Sequence, residues 1–364
     1  MADSALALCG VFCGCQANVF LLELIAVKSS NIFYALTFAQ YVVVALLSLP
    51  LVCVFTAAPH GRGWRPPRLR PMRLLMSHKV LLAVSAWVMS VSSNLVFGLY
   101  ISVPLHATFR SSSLLLNMLA GYFFLEKRYT ALQVLCAVTL SGGLVVLTVE
   151  KSWKLQDIDA AKGQSTPDEY FWWACGVVVL ALSTAFSTGL GIFQEHMYEV
   201  ARHHEEAEQK KEKLTMSSSS SATARAATVS PPPMWAEALF FSHLLAIPLF
   251  FLQPFRLLRE FASISPESYT NFFLNTVTQY VCVAGVYVLN DKTSAFTLIL
   301  TLTLRKLGTF VLSVVYFGHY RHFSGLEWGA MMAALAAGTV YPLLPKNQAV
   351  TSAIRRTAKH DKVA

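Results

Sequence analysis

The chain has 364 residues, 55% of them hydrophobic and 13% charged, where a soluble domain carries roughly 25% charged residues. Apolar runs near the ~20 residues that cross a bilayer fill most of the length, which excludes a sizeable soluble domain. A net charge of +9 would suggest nucleic acid for a soluble protein; here it reads as topogenic charge beside anionic lipid, with no nucleic-acid partner.

Ten spans are predicted: 5–27, 31–56, 79–101, 104–125, 130–149, 170–197, 234–254, 269–290, 293–317 and 324–344. The first lacks a basic leader and a small-residue cleavage site, so it reads as a retained span. Residues 1–149 form a first five-helix half, followed by a lumenal loop at 150–169 and the sixth helix at 170–197. The stretch 198–233 reads as a cytosolic disordered linker, although its first part, rich in Glu and Lys, is able to extend a helix. The second half continues over 234–345, and 346–364 is a basic cytosolic tail. All seven cysteines fall inside apolar runs without the spacing of a zinc site, so they read as small buried hydrophobes rather than a disulfide framework.

Orientation follows from the basic residues. With a cytosolic N-terminus, nineteen of the 29 Lys and Arg fall on the cytosolic side and seven on the other, which places both termini in the cytosol.

Three basic residues remain inside spans: Arg110, Arg305 and Lys306. A charged side chain at the centre of a membrane helix costs at least about 2.5–3.5 kcal/mol, so such residues usually face a polar cavity. In 293–317, Thr297, Thr301 and Arg305 recur at steps of four with Lys306 adjacent, and no acid shares the segment. An Arg fork beside a compact Lys charge suits phosphate. Pairing of these cations with Glu23 or Glu195, near the ends of spans 1 and 6, is the competing reading. In span 4, His106, Arg110, Ser113, Asn117 and Gly121 share one helical face, either as a cavity lining or as hydrogen bonds to neighbouring helices. Aligning Arg110 with Arg305, an offset of 195, also brings Gly143 onto Gly338. Five spans per half would make the halves inverted repeats.

Other polar residues within spans are Asn18, Gln40, Asn94, Ser242, His243, Gln279 and Tyr280. They are candidates for reading a base edge or sugar hydroxyls, or for joining helices; Phe241 is among the aromatics placed to stack on a base. Walker, HExxH and GxSxG motifs and paired intramembrane aspartates are missing from the sequence, so neither an ATP-driven pump nor a membrane protease is suggested. No cofactor or metal is called for.

The stretches NVFLLELIA (18–26), LTFAQY (36–41), VPLHATFRSSSLLLNM (103–118), GIFQE (191–195), EALFFSH (237–243), TQYVCVAGV (278–286) and LTLRK (302–306) resemble the nucleotide-sugar transporters of solute carrier family 35, subfamily B type, within the drug/metabolite transporter superfamily. The resemblance implies an all-α membrane fold of ten helices in two inverted five-helix repeats. It also implies exchange of a cytosolic UDP-sugar, such as UDP-N-acetylglucosamine or UDP-xylose, for lumenal UMP in the Golgi or endoplasmic reticulum. A phenylalanine-tyrosine-asparagine-asparagine motif of GDP-mannose relatives falls on Phe240, Phe241, Ser242 and His243, and a leucine-asparagine-lysine segment falls on Leu304, Arg305 and Lys306. The departures at Ser242, His243 and Arg305 point away from GDP-mannose.

The expected roles are then phosphate binding by Arg110, Arg305 and Lys306. Nucleoside or sugar contacts fall to His106, Asn94, Asn117, Phe241, Ser242, His243, Gln279, Tyr280 and Thr301. Glu23, Gln40 and Glu195 are candidates for gating or helix pairing. The lipid bilayer is a partner, and a homodimer is compatible with the chain. The alternatives are transport of another phosphorylated metabolite, such as a sugar phosphate, and a membrane-embedded glycosyl or lipid transferase.

Overall fold

The computed structural model describes residues 2–28, 32–54, 67–96, 103–124, 127–160, 167–218, 230–316 and 324–344. Twelve α-helices carry the described chain: α1 Ala2–Cys9, α2 Cys15–Lys28, α3 Phe33–Val52, α4 Met76–Leu95, α5 Val103–Phe124, α6 Ala131–Ala160, α7 Pro167–Ser218, α8 Met234–Leu244, α9 Pro254–Ala262, α10 Tyr269–Lys292, α11 Ala295–Tyr316 and α12 Gly325–Val340. Helices dominate because a bilayer offers the backbone no partner, so each spanning segment must satisfy its own N–H and C=O groups. Among the described residues, five segments are long and apolar enough to cross a membrane: Ala5–Leu22, Phe33–Val52, Phe171–Ala207, Met234–Leu252 and Pro266–Lys292. Met76–Ser92, Ser113–Phe123 and Ala131–Gly143 are shorter apolar helical stretches.

Helix ends follow local chemistry. A capping box starts α12: the Glu327 N–H donates to Ser324 Oγ, and the Ser324 N–H donates to the Glu327 carboxylate. The first turn of α3 has no side-chain cap of its own. Its Tyr34 and Ala35 N–H groups instead donate to Glu260 Oε2 on α9, at 2.8 and 3.0 Å.

Several sequence expectations need correction. The 150–169 loop is helical up to Ala160 and again from Pro167, because Glu, Lys, Leu and Gln beyond residue 149 are good helix formers. The linker drawn at 198–233 is helical up to Ser218, as the continuation of α7; residues 219–229 of it lie outside the described residues. The span at 234–254 is not one α-helix. It ends at Leu244, turns, and continues as the 3-10 segment Ile247–Leu252 carrying Pro248, whose missing N–H breaks the ladder. Helix α9, unread in the sequence, follows from Pro254. A two-residue ladder, β1 Cys53–Val54 with β2 Arg68–Leu69, pairs antiparallel in the register Cys53↔Leu69. Cys15 on α2 and Cys282 on α10 are joined as a disulfide, and Cys9 and Cys13 are exposed. The cysteines are therefore not uniformly buried small hydrophobes.

The chain divides into two compact units: Met1–Asn94 with Leu190–Ala295, and Leu95–Gly189 with Phe296–Ala364. Neither is a contiguous half of the sequence. The first is cored by Val44, Leu82, Met197, Leu239 and Tyr287, with a second cluster around Tyr34, Tyr41 and Phe250. In it, α1 and the π-helical turn Gly10–Gly14 that follows it approach α10 closely: a Cβ on Gly285 would sit 2.9 Å from the Ala7 carbonyl oxygen and 3.1 Å from Val11 N. The second unit is cored by Leu114, Met118, Cys136, Leu140, Leu307 and Ala334. There, a Cβ on Gly143 of α6 would lie 2.9 Å from both the Ala330 carbonyl oxygen and Ala334 Cβ of α12.

Candidate functional site

Helix α8 begins after a run of three prolines and is buried from Ala236 to His243. Its polar residues are therefore held by protein. Ser242 Oγ donates to the Leu239 carbonyl at 3.0 Å and accepts from the Tyr287 hydroxyl of α10 at 2.9 Å. The His243 ring centre lies 4.7 Å from that of Tyr41 of α3, the two rings tilted by 43°, and the Tyr41 hydroxyl is 3.0 Å from Ser90 Oγ of α4. His243 Nδ1 lies 2.8 Å from the Leu239 carbonyl, a separation that a protonated Nδ1 donating to that oxygen satisfies. In the neutral ring Nε2 is then the acceptor. Phe241 packs against Phe240 and carries the Lys79 ammonium 4.3 Å from its ring centre.

On α10, Gln279 and Tyr280 are half-buried, with no hydrogen-bonding partner among the described residues. One turn earlier lies a polar clamp. Asn18 of α2 and Asn275 of α10 each donate their amide to the other's backbone carbonyl at 2.8 Å, and Gln40 Nε2 of α3 donates to Asn275 Oδ1 at 2.7 Å. Gln40 thus joins helices. Asn18, weighed as a base-reading group, is consumed by the same clamp, because bilayer-embedded amides find partners on neighbouring helices.

In the second unit, Arg305 and Lys306 are partly buried on α11 beside the core residue Leu307. Thr301 Oγ1 donates to the Thr297 carbonyl one turn back, at 2.8 Å. Asn117 of α5 is 3% exposed, and its Nδ2 has no hydrogen-bonding partner among the described residues. Gly121, at the end of the span 4 stripe, is where the Tyr129 hydroxyl packs, so its smallness serves packing there. Glu195 is half-buried on α7. The side chains of Glu23, Asn94, His106 and Arg110 lie outside the described part of the structure. The nucleoside candidates Phe241, Ser242, His243, Gln279 and Tyr280 fall in the first unit; Asn117, Thr301, Arg305 and Lys306 fall in the second.

Sequence reading missed one charged site altogether. Glu237 of α8 is fully buried, with Lys79 Nζ of α4 2.8 Å from Oε1, and it also accepts from the backbone N–H groups of Arg73 and Leu74. A lone acid in the apolar 234–254 run was the available signal; the identity of its partner was not written in either segment.

These features define a helical, multi-pass membrane protein. The UAA transporter family model matches residues 3–210 and 211–343, and the chain belongs to that family of transporters. It is 29% identical to the endoplasmic reticulum GDP-fucose transporter of Drosophila melanogaster, over 84% of this chain and 81% of that protein. To the human nucleotide sugar transporter SLC35B4 it is 28% identical, with 86% of each chain covered. The UDP-N-acetylglucosamine transporter YEA4 of Kluyveromyces lactis is 30% identical over 84% of this chain and 86% of its own length. One solved crystal structure matches with a TM-score of 0.55 at 14% identity, covering 95% of this chain and 99% of the other; that likeness concerns the fold alone.

Proposed function

We propose that the protein is a nucleotide-sugar antiporter of the Golgi or endoplasmic reticulum membrane, moving a UDP-sugar inward in exchange for UMP by alternating access. UDP-N-acetylglucosamine is the leading substrate, with UDP-xylose next. The observation that carries this reading is the adjacent pair Arg305 and Lys306, partly buried on an apolar helix in a chain whose relatives include UDP-N-acetylglucosamine transporters. Arg110, Arg305 and Lys306 hold the diphosphate. Ser242, His243, Gln279 and Tyr280 face the nucleoside or sugar, and the Nε2 acceptor of His243 is suited to the N3–H of uracil. An empty site with three close cations resists a desolvated, closed intermediate, and either anion relieves that cost, which makes exchange obligatory.

The architecture in this reading is ten spans in two inverted five-helix repeats, with both termini cytosolic. The composition of the units supports it. At an offset of 195, α3 corresponds to α8 and α4 to α10, all in the first unit; α5 corresponds to α11 and α6 to α12, all in the second. Both equivalent glycines stand at close helix approaches, Gly143 of α6 against Ala330 and Ala334 of α12, and Gly338 of α12 against Leu304 of α11.

The test is uptake of labelled UDP-N-acetylglucosamine into liposomes holding the purified protein, preloaded with UMP, CMP, GMP or nothing. Uptake with UMP alone is the expected result. The GDP-fucose relative favours a second reading, a GDP-sugar carrier, and stimulation by GMP selects it. A folded protein inactive with every preload rules out both.

A further inference from the structure

Helix α9 is amphipathic in the wrong sense for a helix in water. Phe255 is 86% exposed and Leu258 68%, with Arg259 and Ala262 on the same outward face. The opposite face carries Arg256, Leu257 and Glu260, and it is the one directed into the protein: Leu257 and Glu260 are buried. Glu260 takes the guanidinium of Arg256 at 2.7 Å as well as the Tyr34 and Ala35 N–H groups, and that guanidinium lies 5.0 Å from the Tyr34 ring centre. Charges are therefore consumed inside while large apolar groups point out. An exposed apolar surface of this kind marks a surface that something apolar covers.

We infer that α9 lies flat in the interface of the lipid bilayer, with Phe251, Leu252, Phe255 and Leu258 inserted among the acyl chains and Arg259 reaching the head-group phosphates. Tethering forces the first part of this. Leu244 to Pro254 and Ala262 to Tyr269 are short links to α8 and α10, both within membrane-crossing segments, so α9 cannot leave the bilayer surface. The flanking segments supply the second part. Exposed large apolar residues stand on α9 and on both sides of it in the chain: Phe251 and Leu252 before it, Phe255 and Leu258 on it, and Tyr269, Phe273 and Leu274 at the start of α10. The same kind of exposed apolar residue thus occurs on the neighbouring spans and on α9. Arg259 on the rim completes the pattern of an interfacial helix. Because Glu260 also supplies the missing cap of α3, a helix seated in lipid holds the first turn of a spanning helix. This placement is independent of what the protein transports.

The test replaces Phe255 or Leu258 with the photoreactive p-benzoylphenylalanine in the full-length chain, reconstituted in vesicles of phosphatidylcholine and phosphatidylethanolamine. A third probe at His203, exposed on the far end of α7, serves as the control. After irradiation, mass spectrometry is expected to find acyl-chain adducts at 255 and 258 and none at 203. Crosslinks from 255 or 258 to a second copy of the chain assign this face to a homodimer and overturn the inference. Absence of any acyl-chain adduct at 255 and 258, in protein that elutes as a single species, overturns it as well.

Discussion

Lys79 Nζ lies 2.8 Å from Glu237 Oε1, with the two side chains 5% and 0% exposed. The same carboxylate accepts the N–H groups of Arg73 and Leu74 at 2.9 and 3.1 Å. One acid thus fixes α8, α4 and the segment leading into α4. Arg73 continues the chain of contacts through its guanidinium to Glu205 on the extension of α7, at 3.1 Å. A buried ion pair need not stabilise more than an apolar pair of the same shape, but removing one partner strands a buried charge.

Lys79→Met is therefore expected to lower stability by about 3–5 kcal/mol, because it leaves the Glu237 carboxylate unpaired. The double variant Lys79→Met with Glu237→Gln removes both charges and keeps one of the two oxygens that the Arg73 and Leu74 N–H groups use. It should recover part of the loss. Denaturant unfolding in detergent measures both, and equal losses in the two proteins would show that charge burial is not the deciding term.

The reciprocal amides of Asn18 and Asn275 make a second prediction. Replacing either by Leu should cost about 1–2 kcal/mol, the scale of hydrogen bonds between helices in membranes. The pair acts as one unit, so the double variant should cost less than the sum, and a double-mutant cycle reads the coupling directly.

Neighbouring glycines on α6 should respond in opposite directions. Gly142 has open space where a Cβ would be built, whereas Gly143 meets α12 at 2.9 Å. Gly142→Ala should raise stability by up to about 1 kcal/mol through helix propensity. Gly143→Ala should lower it by about 1–3 kcal/mol through overpacking. Thermal unfolding of the two single variants decides the matter.

Arg305→Gln and Lys306→Ala are expected to cut exchange about tenfold or more, the loss of one charge-assisted contact to phosphate, with elution profile and unfolding midpoint unchanged. Counterflow uptake with UMP-loaded liposomes gives the rate. Exchange at the wild-type rate by Lys306→Ala would remove that residue from the mechanism.

The five spanning segments among the described residues were legible in the sequence, and for a physical reason. A helix in lipid satisfies its own backbone and needs only a continuous apolar run, a property of a local window. The adjacent cations Arg305 and Lys306 were legible because charge is rare in such a window. Helix α9 was hidden: its nine residues are too short to span, and its apolar positions look like the end of the preceding run. Helicity beyond residues 149 and 197 was underread for the opposite reason, since hydropathy marks where the apolar stretch stops and polar helix formers carry the helix further.

By itself, the sequence determined that this is a helical membrane protein, where its five described spanning segments lie and that Arg305 and Lys306 stand on an apolar helix, because bilayer thickness and the cost of a buried charge act segment by segment. Only the tertiary structure decided the partners. Lys79 with Glu237, Asn18 with Asn275, Cys15 with Cys282 and Glu260 with the first turn of α3 each join residues more than a hundred positions apart. No local pattern selects among the available partners at that separation, and the choice is made by helix packing, which brings a few of them within reach and excludes the rest.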